Sequence, residues 1–328
     1  MLRVGHLVTS ADLPVLNIYN LCKYRISKEI QHYVIADNKY DFIDYFKQDD
    51  IPYFVVNNKK PYQNLLKKVD IIHLHWTGYN RKEHDLVRRS RIPFLVTLYK
   101  PEKLPSSIPF AICPFNFIRK VQRKPDNYIV IHNGINVRRF NKISNNISPE
   151  TEKKQNILVA PDVVTQCNDH FWIFMHKFFS KNSNVELQII CPSWHSLNLV
   201  KAINNKRKVY TSIALSDVAI YTPFISDTLK IQNSFHFVMI AMAMGVPCIV
   251  SQNKIVDEVF QHRKNGIVVS GDKPIHFVKD IKELLQNREL RKRCIVNAYQ
   301  IVRDKFDVKF NISKYETILF TLIKNQIK

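Results

Sequence analysis

His75, Trp76 and Thr77 close an apolar run that starts at Ile71, and they are followed by Gly78. A strand that ends this way places an imidazole, an aromatic plane and a hydroxyl at the carboxyl edge of a sheet. Imidazole moves protons near neutral pH, and an indole can lie against the apolar face of a sugar ring. A second apolar run, Phe94 to Leu98, ends in Tyr99 and Lys100. The tyrosine hydroxyl, with an ordinary pKa near ~10, is a poorer base than histidine, whereas Lys100 offers a cation to a phosphate or another acid. The plainer alternative for all five residues is packing and the satisfaction of a turn.

Other chemistries find less support. Cys22, Cys113, Cys167, Cys191, Cys248 and Cys294 have no CxxC or Cys/His spacing of a metal site and sit mostly in apolar surroundings, as reduced thiols do. His6, His84, His170, His176, His195, His262 and His276 form no paired acid-and-metal pattern, and no metal is expected. His132, beside Asn133-Gly134, is expected to line a hinge between domains. Phe171, Trp172, Phe174, Phe178 and Phe179 recur at helical spacing and are expected in a core.

The charge is one-sided: 49 Lys and Arg oppose 28 Asp and Glu, a net +21. Such a surface attracts phosphate-rich partners. Arg119, Lys120, Arg123, Lys124, Arg138 and Arg139 form one dense region, and Lys23, Arg25 and Lys28 another. Nucleic acid is not the expected partner, because the chain has no recognised reading element and its aromatics look buried. The opening residues Leu2 to Val8 read as a strand and lack the apolar span of a signal peptide, and no 18 consecutive residues stay apolar. The expectation is a cytoplasmic protein, peripheral on the inner face of the cell membrane.

These residues need elements to position them. Strands are expected at Leu2 to Val8, Tyr33 to Ala36, Tyr53 to Val56, Ile71 to His75, Phe94 to Leu98 and Tyr128 to Ile131. Segments of helical spacing separate them, such as Ile18 to Glu29 and Tyr62 to Val69. That alternation implies crossovers and parallel sheet. The polar stretch from Asn141 to Gln155 is the expected linker. A second cycle has strands at Ile157 to Ala160, Val185 to Cys191, Val209 to Thr211, Val218 to Tyr221, Ile249 to Val250 and Ile267 to Val269. Helices then cover Ile275 to Leu285, Glu289 to Phe306 and Ile312 to Ile323. The expected domains are 1–150, 151–306, and a last helix within 307–328 that packs back toward the first. Gly245 is expected as a helix C-cap and Gly134 in a turn.

The run Ile240-Ala241-Met242-Ala243-Met244-Gly245-Val246-Pro247-Cys248-Ile249-Val250-Ser251, with Glu258-Val259, Lys264-Asn265-Gly266 and the helices through Phe306, resembles the nucleotide-sugar-binding segment of GT-B glycosyltransferases of family 4. Ile131 to Asn136 with Phe140, and Asp70 to His75, resemble stretches of that family's first domain. The resemblance touches about two thirds of the chain. It implies an α/β fold of two facing Rossmann-like domains with parallel sheets and C-terminal helices. It further implies retaining, metal-independent transfer of a sugar from a nucleotide-sugar donor, the donor on the second domain and the acceptor on the first.

On that resemblance His75 and Tyr99 are the catalytic candidates, and Trp76, Thr77 and Lys100 bind the acceptor. Gln166 and Asn168 stand in the loop where the family neutralises the diphosphate, and Ser193 stands where it has glycines. Ser234 and His236 occupy the small-residue turn before the Ala-Met-Ala helix, and Glu258 is a donor-site residue or a helix-N-terminal acid. The family's ribose-holding acid is Ile240 here and its partner is Gln232, while its diphosphate-binding Arg and Lys are absent. The expected partners are the nucleotide-sugar, a glycan or lipid-linked acceptor, an anionic membrane surface, and a protein partner or a second copy. No cofactor is expected beyond the donor substrate. The competing expectation is a catalytically silent homologue that partners an active enzyme.

Overall fold

The computed structural model describes residues 1–8, 15–38, 43–56, 66–78, 81–108, 110–145, 155–159, 174–175, 177–179, 185–190, 201–203, 206–222, 228–271 and 273–324. Two compact units share the chain: Met1–Gly134 with Val308–Lys328, and Ile135–Asp307.

In the first unit the strands are β1 (Leu2–Val8), β2 (Ile30–Ala36), β3 (Tyr53–Val55), β4 (Ile71–Trp76), β5 (Phe94–Leu98), β6 (Ala111–Cys113) and β7 (Tyr128–Val130). They form one parallel sheet in the order β3-β2-β1-β4-β5-β6-β7. Helices α1 (Val15–Lys23), α2 (Ile43–Gln48), α3 (Arg81–Ser90) and α4 (Asn116–Lys120) lie between strands. The central strands β1, β4 and β5 are largely buried because both faces of a parallel sheet are covered. The order reverses between β1 and β4, so the carboxyl ends of those two strands flank the switch point at which open α/β sheets bind ligands.

The second unit begins with α5 (Val137–Asn145). Its parallel sheet runs β10 (Lys201–Ile203), β9 (Val185–Ile190), β8 (Gln155–Val159), β11 (Val218–Tyr221), β12 (Cys248–Ser251), β13 (Ile267–Val269). Around it are α6 (Lys206–Ala214), α7 (Thr228–Ala243), α8 (Lys254–Val259), α9 (Pro274–Gln286) and α10 (Arg288–Lys305). Here the order reverses between β8 and β11. Helix α7 ends where the sequence says it should: Gly245 has φ +76, and the amides of Gly245 and Val246 bond back to the carbonyls of Met242 and Ala241.

The final helix, α11 (Val308–Lys324), belongs to the first unit. Val308, Ile312, Tyr315 and Leu319 form one face of it, at helical spacing, and join Val4, Ile30, Ile71 and Leu95 in the core. The Glu316 carboxylate accepts hydrogen bonds from the backbone amides of Ile26 at 2.7 Å and Ser27 at 3.0 Å, which ties α11 to the turn after α1.

Three expectations are corrected. The division between units falls after Gly134, not at 150, because α5 packs with α6 and α7. Val209 to Thr211 is helical, inside α6, where Ile213 supplies the buried contact; tertiary packing overrides a locally strand-like Val-Tyr-Thr. Helix α1 starts at Val15 and stops at Lys23, well before Glu29.

Candidate functional site

At the carboxyl end of β4 the backbone places His75, Trp76 and Thr77 beside the first unit's switch point, but the side chains go inward. His75 is 1% exposed and Trp76 3%. The Trp76 indole N–H donates to the Glu102 carboxylate, and its ring is packed rather than offered to solvent as a sugar platform. Tyr99 is fully buried, and burial pushes its hydroxyl above its ordinary range, the reverse of what a base requires. Thr77 and Lys100 are the half-buried members of this set.

Four histidines on one face of the sheet meet here. Alternation along a strand puts residues i and i+2 on the same face. In the parallel register His6 lies beside His73, and His32 beside Val4. The ring nitrogens form a chain: His32 Nδ1 to His6 Nε2 at 2.9 Å, His6 Nδ1 to His75 Nε2 at 3.0 Å, and His75 Nδ1 to Tyr99 Oη at 2.9 Å. Asn17 Nδ2 donates to Tyr99 Oη at 2.9 Å. His73 is held separately, with Tyr315 Oη at 2.9 Å from Nδ1 and Thr97 Oγ1 at 2.7 Å from Nε2.

Loss of solvent, reinforced by the neighbouring histidines, holds His6, His73 and His75 well below the ordinary imidazole range. Burial, with Arg25 adding to it, pushes His32 down to about 3. All four are neutral at pH 7, and each hydrogen bond between two rings holds a single proton. His75 is therefore an interior member of a neutral imidazole chain rather than an accessible base at an edge. In the sequence His6 shows no paired pattern because its partners are distant along the chain. The signal was the alternate-residue pattern His73-Leu74-His75, which needed only β1 as its neighbour.

A cavity of about 20 Å³ borders His73, Thr97 and Tyr315 on one side and Asn17, His132 and Asn311 on another. It has room for about one water among polar groups. His132 Nδ1 pairs with the Pro114 carbonyl at 2.7 Å within the first unit. Next to it, Asn133 is 3% exposed, and neither atom of its side-chain amide has a hydrogen-bond partner among the described residues. A buried amide left this way is what a bound water or ligand satisfies.

In the second unit, Gln166, Asn168 and Ser193 lie outside the described residues. Ser234 and His236 do not form a turn. They lie inside α7, which starts at Thr228 and is buried through Phe235, His236, Phe237 and Val238, because no glycine or proline interrupts the chain between Thr228 and Phe235. Gln232 and Ile240, standing where the family has its acid pair, are both buried in the same helix, at 1% and 7% exposure. Glu258 is in the last turn of α8 and does not cap it. The N-cap is Asn253, whose Oδ1 accepts from the amides of Ile255 at 2.9 Å and Val256 at 3.0 Å. Near the carboxyl ends of β12 and β13, Ser270 Oγ donates to Gln252 Oε1 at 2.9 Å.

Of the two basic regions, Lys120, Arg123 and Lys124 are exposed at α4 and the turn after it. Lys23 instead pairs with Asp49 at 2.8 Å.

Two parallel-sheet α/β domains followed by C-terminal helices are the GT-B fold of glycosyltransferases, and residues 236–301 match the profile of the family described as glycosyl transferases group 1. Among solved structures, the chain is similar to a glycosyltransferase from Rickettsia africae, at TM-score 0.77 and 14% identity over 99% of both chains. It is also similar to HepE of Anabaena in complex with UDP-glucose, at TM-score 0.71 and 14% identity over 98% of this chain and 100% of that one. In sequence it is similar to the N-acetyl-alpha-D-glucosaminyl L-malate synthase of Bacillus anthracis, 26% identical over 140 residues. That match spans 42% of this chain and 35% of the relative.

Proposed function

We propose that this chain is a glycosyltransferase that moves a sugar from a nucleotide-sugar donor to a lipid-linked or surface-polysaccharide acceptor, with retention and without a metal in the transfer step. The observation that carries the reading is the glycosyl transferases group 1 segment, residues 236–301, which here spans the second half of α7, the Gly245 turn, β12, α8, β13, α9 and most of α10. The likeness of the whole chain to GT-B structures, one of them HepE in complex with UDP-glucose, supports the same reading. The donor belongs on the second unit, at the carboxyl ends of β8 and β11. The acceptor belongs on the first, near Thr77 and Lys100.

A leaving diphosphate gathers negative charge that must be neutralised. With the family's cation pair replaced, the distributed positive charge of the chain, net +21, and helix amino termini take that role. The exposed Lys120, Arg123 and Lys124 are read as a docking face for anionic lipid headgroups on the cytoplasmic side of a membrane. Among the described residues, no helix is long and apolar enough to cross a membrane.

Release of nucleoside diphosphate from a panel of nucleotide-sugars, with and without a lipid extract as acceptor, tests the reading. Release from one donor that rises with the extract is the expected result. Equal background release from every donor would contradict it.

A further inference from the structure

The geometry points to a divalent transition-metal site of the zinc type inside the first unit, with His6, His73 and His75 as its three protein ligands. One ring nitrogen from each of these residues lies within 4.8 Å of the other two. Two of the ligands alternate on β4 and the third stands in register on β1, so rigid strands rather than loops set their spacing. In a tetrahedral zinc site with Zn–N near ~2.05 Å, ligand nitrogens are roughly 3.3 Å apart. His6 Nδ1 and His75 Nε2 are already at 3.0 Å.

The surroundings are those a metal-bound imidazole needs. A ligating histidine donates its other ring N–H to an acceptor that fixes its orientation. His6 has His32 Nδ1 at 2.9 Å on its Nε2 side, His75 has Tyr99 Oη at 2.9 Å on its Nδ1 side, and His73 keeps Tyr315 or Thr97. A shift of tautomer places N–H on His6 Nε2 and on His75 Nδ1. Three imidazoles suit zinc, cobalt or nickel better than magnesium or calcium, which prefer oxygen. The ion would brace β1 to β4 beneath α11. This role is structural and stands or falls independently of the sugar-transfer reading.

Because the site is buried, the test is refolding of the full chain, stripped with chelator, in the presence of Zn²⁺ or Co²⁺. One equivalent of metal retained after gel filtration, with the strong visible absorption of tetrahedral cobalt, is the expected result. Tyr99→Phe keeps all three ligands but removes the hydroxyl that receives the His75 N–H, and it should weaken binding about 10- to 100-fold. His6→Gln should abolish the cobalt band. Wild-type protein that refolds fully without retaining metal would overturn the proposal. So would a folded His6→Gln chain that keeps the stoichiometry and spectrum.

Discussion

His6 Nδ1 and His75 Nε2 face each other at 3.0 Å across neighbouring strands, both rings buried and both neutral. Four such histidines in one core make folding sensitive to acid. In the unfolded chain each titrates near ~6.5. In the folded, metal-free protein His32 titrates at about 3 and the other three lie well below their ordinary range.

The unfolded state therefore binds more protons as pH falls through ~6.5, so the stability of the metal-free protein declines over that range. The decline amounts to about 2 kcal/mol between pH 7.5 and 5 for each histidine that stays neutral when folded. Urea midpoints of chelator-treated protein at the two pH values check this. A midpoint unchanged on acidification would mean that the cluster is solvated.

Leu319 is fully buried in the face of α11 that covers the first sheet. Leu319→Ala should cost roughly 2–5 kcal/mol through lost burial and the cavity left behind. Glu316→Ala strips the acceptor from two backbone amides and should cost about 1.5–3 kcal/mol. Both are read as shifts in denaturation midpoint at unchanged far-ultraviolet spectrum.

A methyl group at Gly266 would stand 2.6 and 2.8 Å from carbons of the Phe260 ring and 3.0 Å from the Cys248 carbonyl oxygen. The ring is packed and the carbonyl belongs to β12, so neither yields easily. Gly266→Ala should lose about 1–3 kcal/mol of stability, measured by calorimetric melting. A melting temperature equal to wild type would show that Phe260 can move aside.

Asn133 brings a different expectation, because its buried amide has no described partner to lose. Asn133→Ala should change stability by less than ~1 kcal/mol. If the amide serves a ligand, turnover falls while melting does not. A large loss of stability would instead mean that the amide is held by the fold.

The parts of the fold legible in the sequence were those with strong local pattern. Ile71 to His75 and Phe94 to Leu98 are mainly apolar strand-length runs, the last helices keep their period, and Gly245 marks a helix end. Ala111–Cys113 was missed as a strand because it is three residues long between Pro109 and Pro114. The candidate site was less legible because it depends on strand order. Only when β1 lies between β2 and β4 do residues 6, 32, 73 and 75 become neighbours, and no local pattern carries that order. Nor does the end of a strand reveal which way a side chain turns: Trp76 ends β4 beside the switch point, yet its indole bonds Glu102 inside the unit. The start of α7 was misplaced for the opposite reason, since a turn was expected by analogy at Ser234 to His236 while the residues themselves continue a helix.

The central claim is that this chain holds a nucleotide-sugar, and calorimetric titration of the purified protein with a panel of nucleoside diphosphate and monophosphate sugars tests it most directly. Saturable binding of one donor, with the free nucleotide competing for the same site, is the predicted result. Folded protein that binds none of them would contradict the enzyme and leave a silent partner of an active glycosyltransferase.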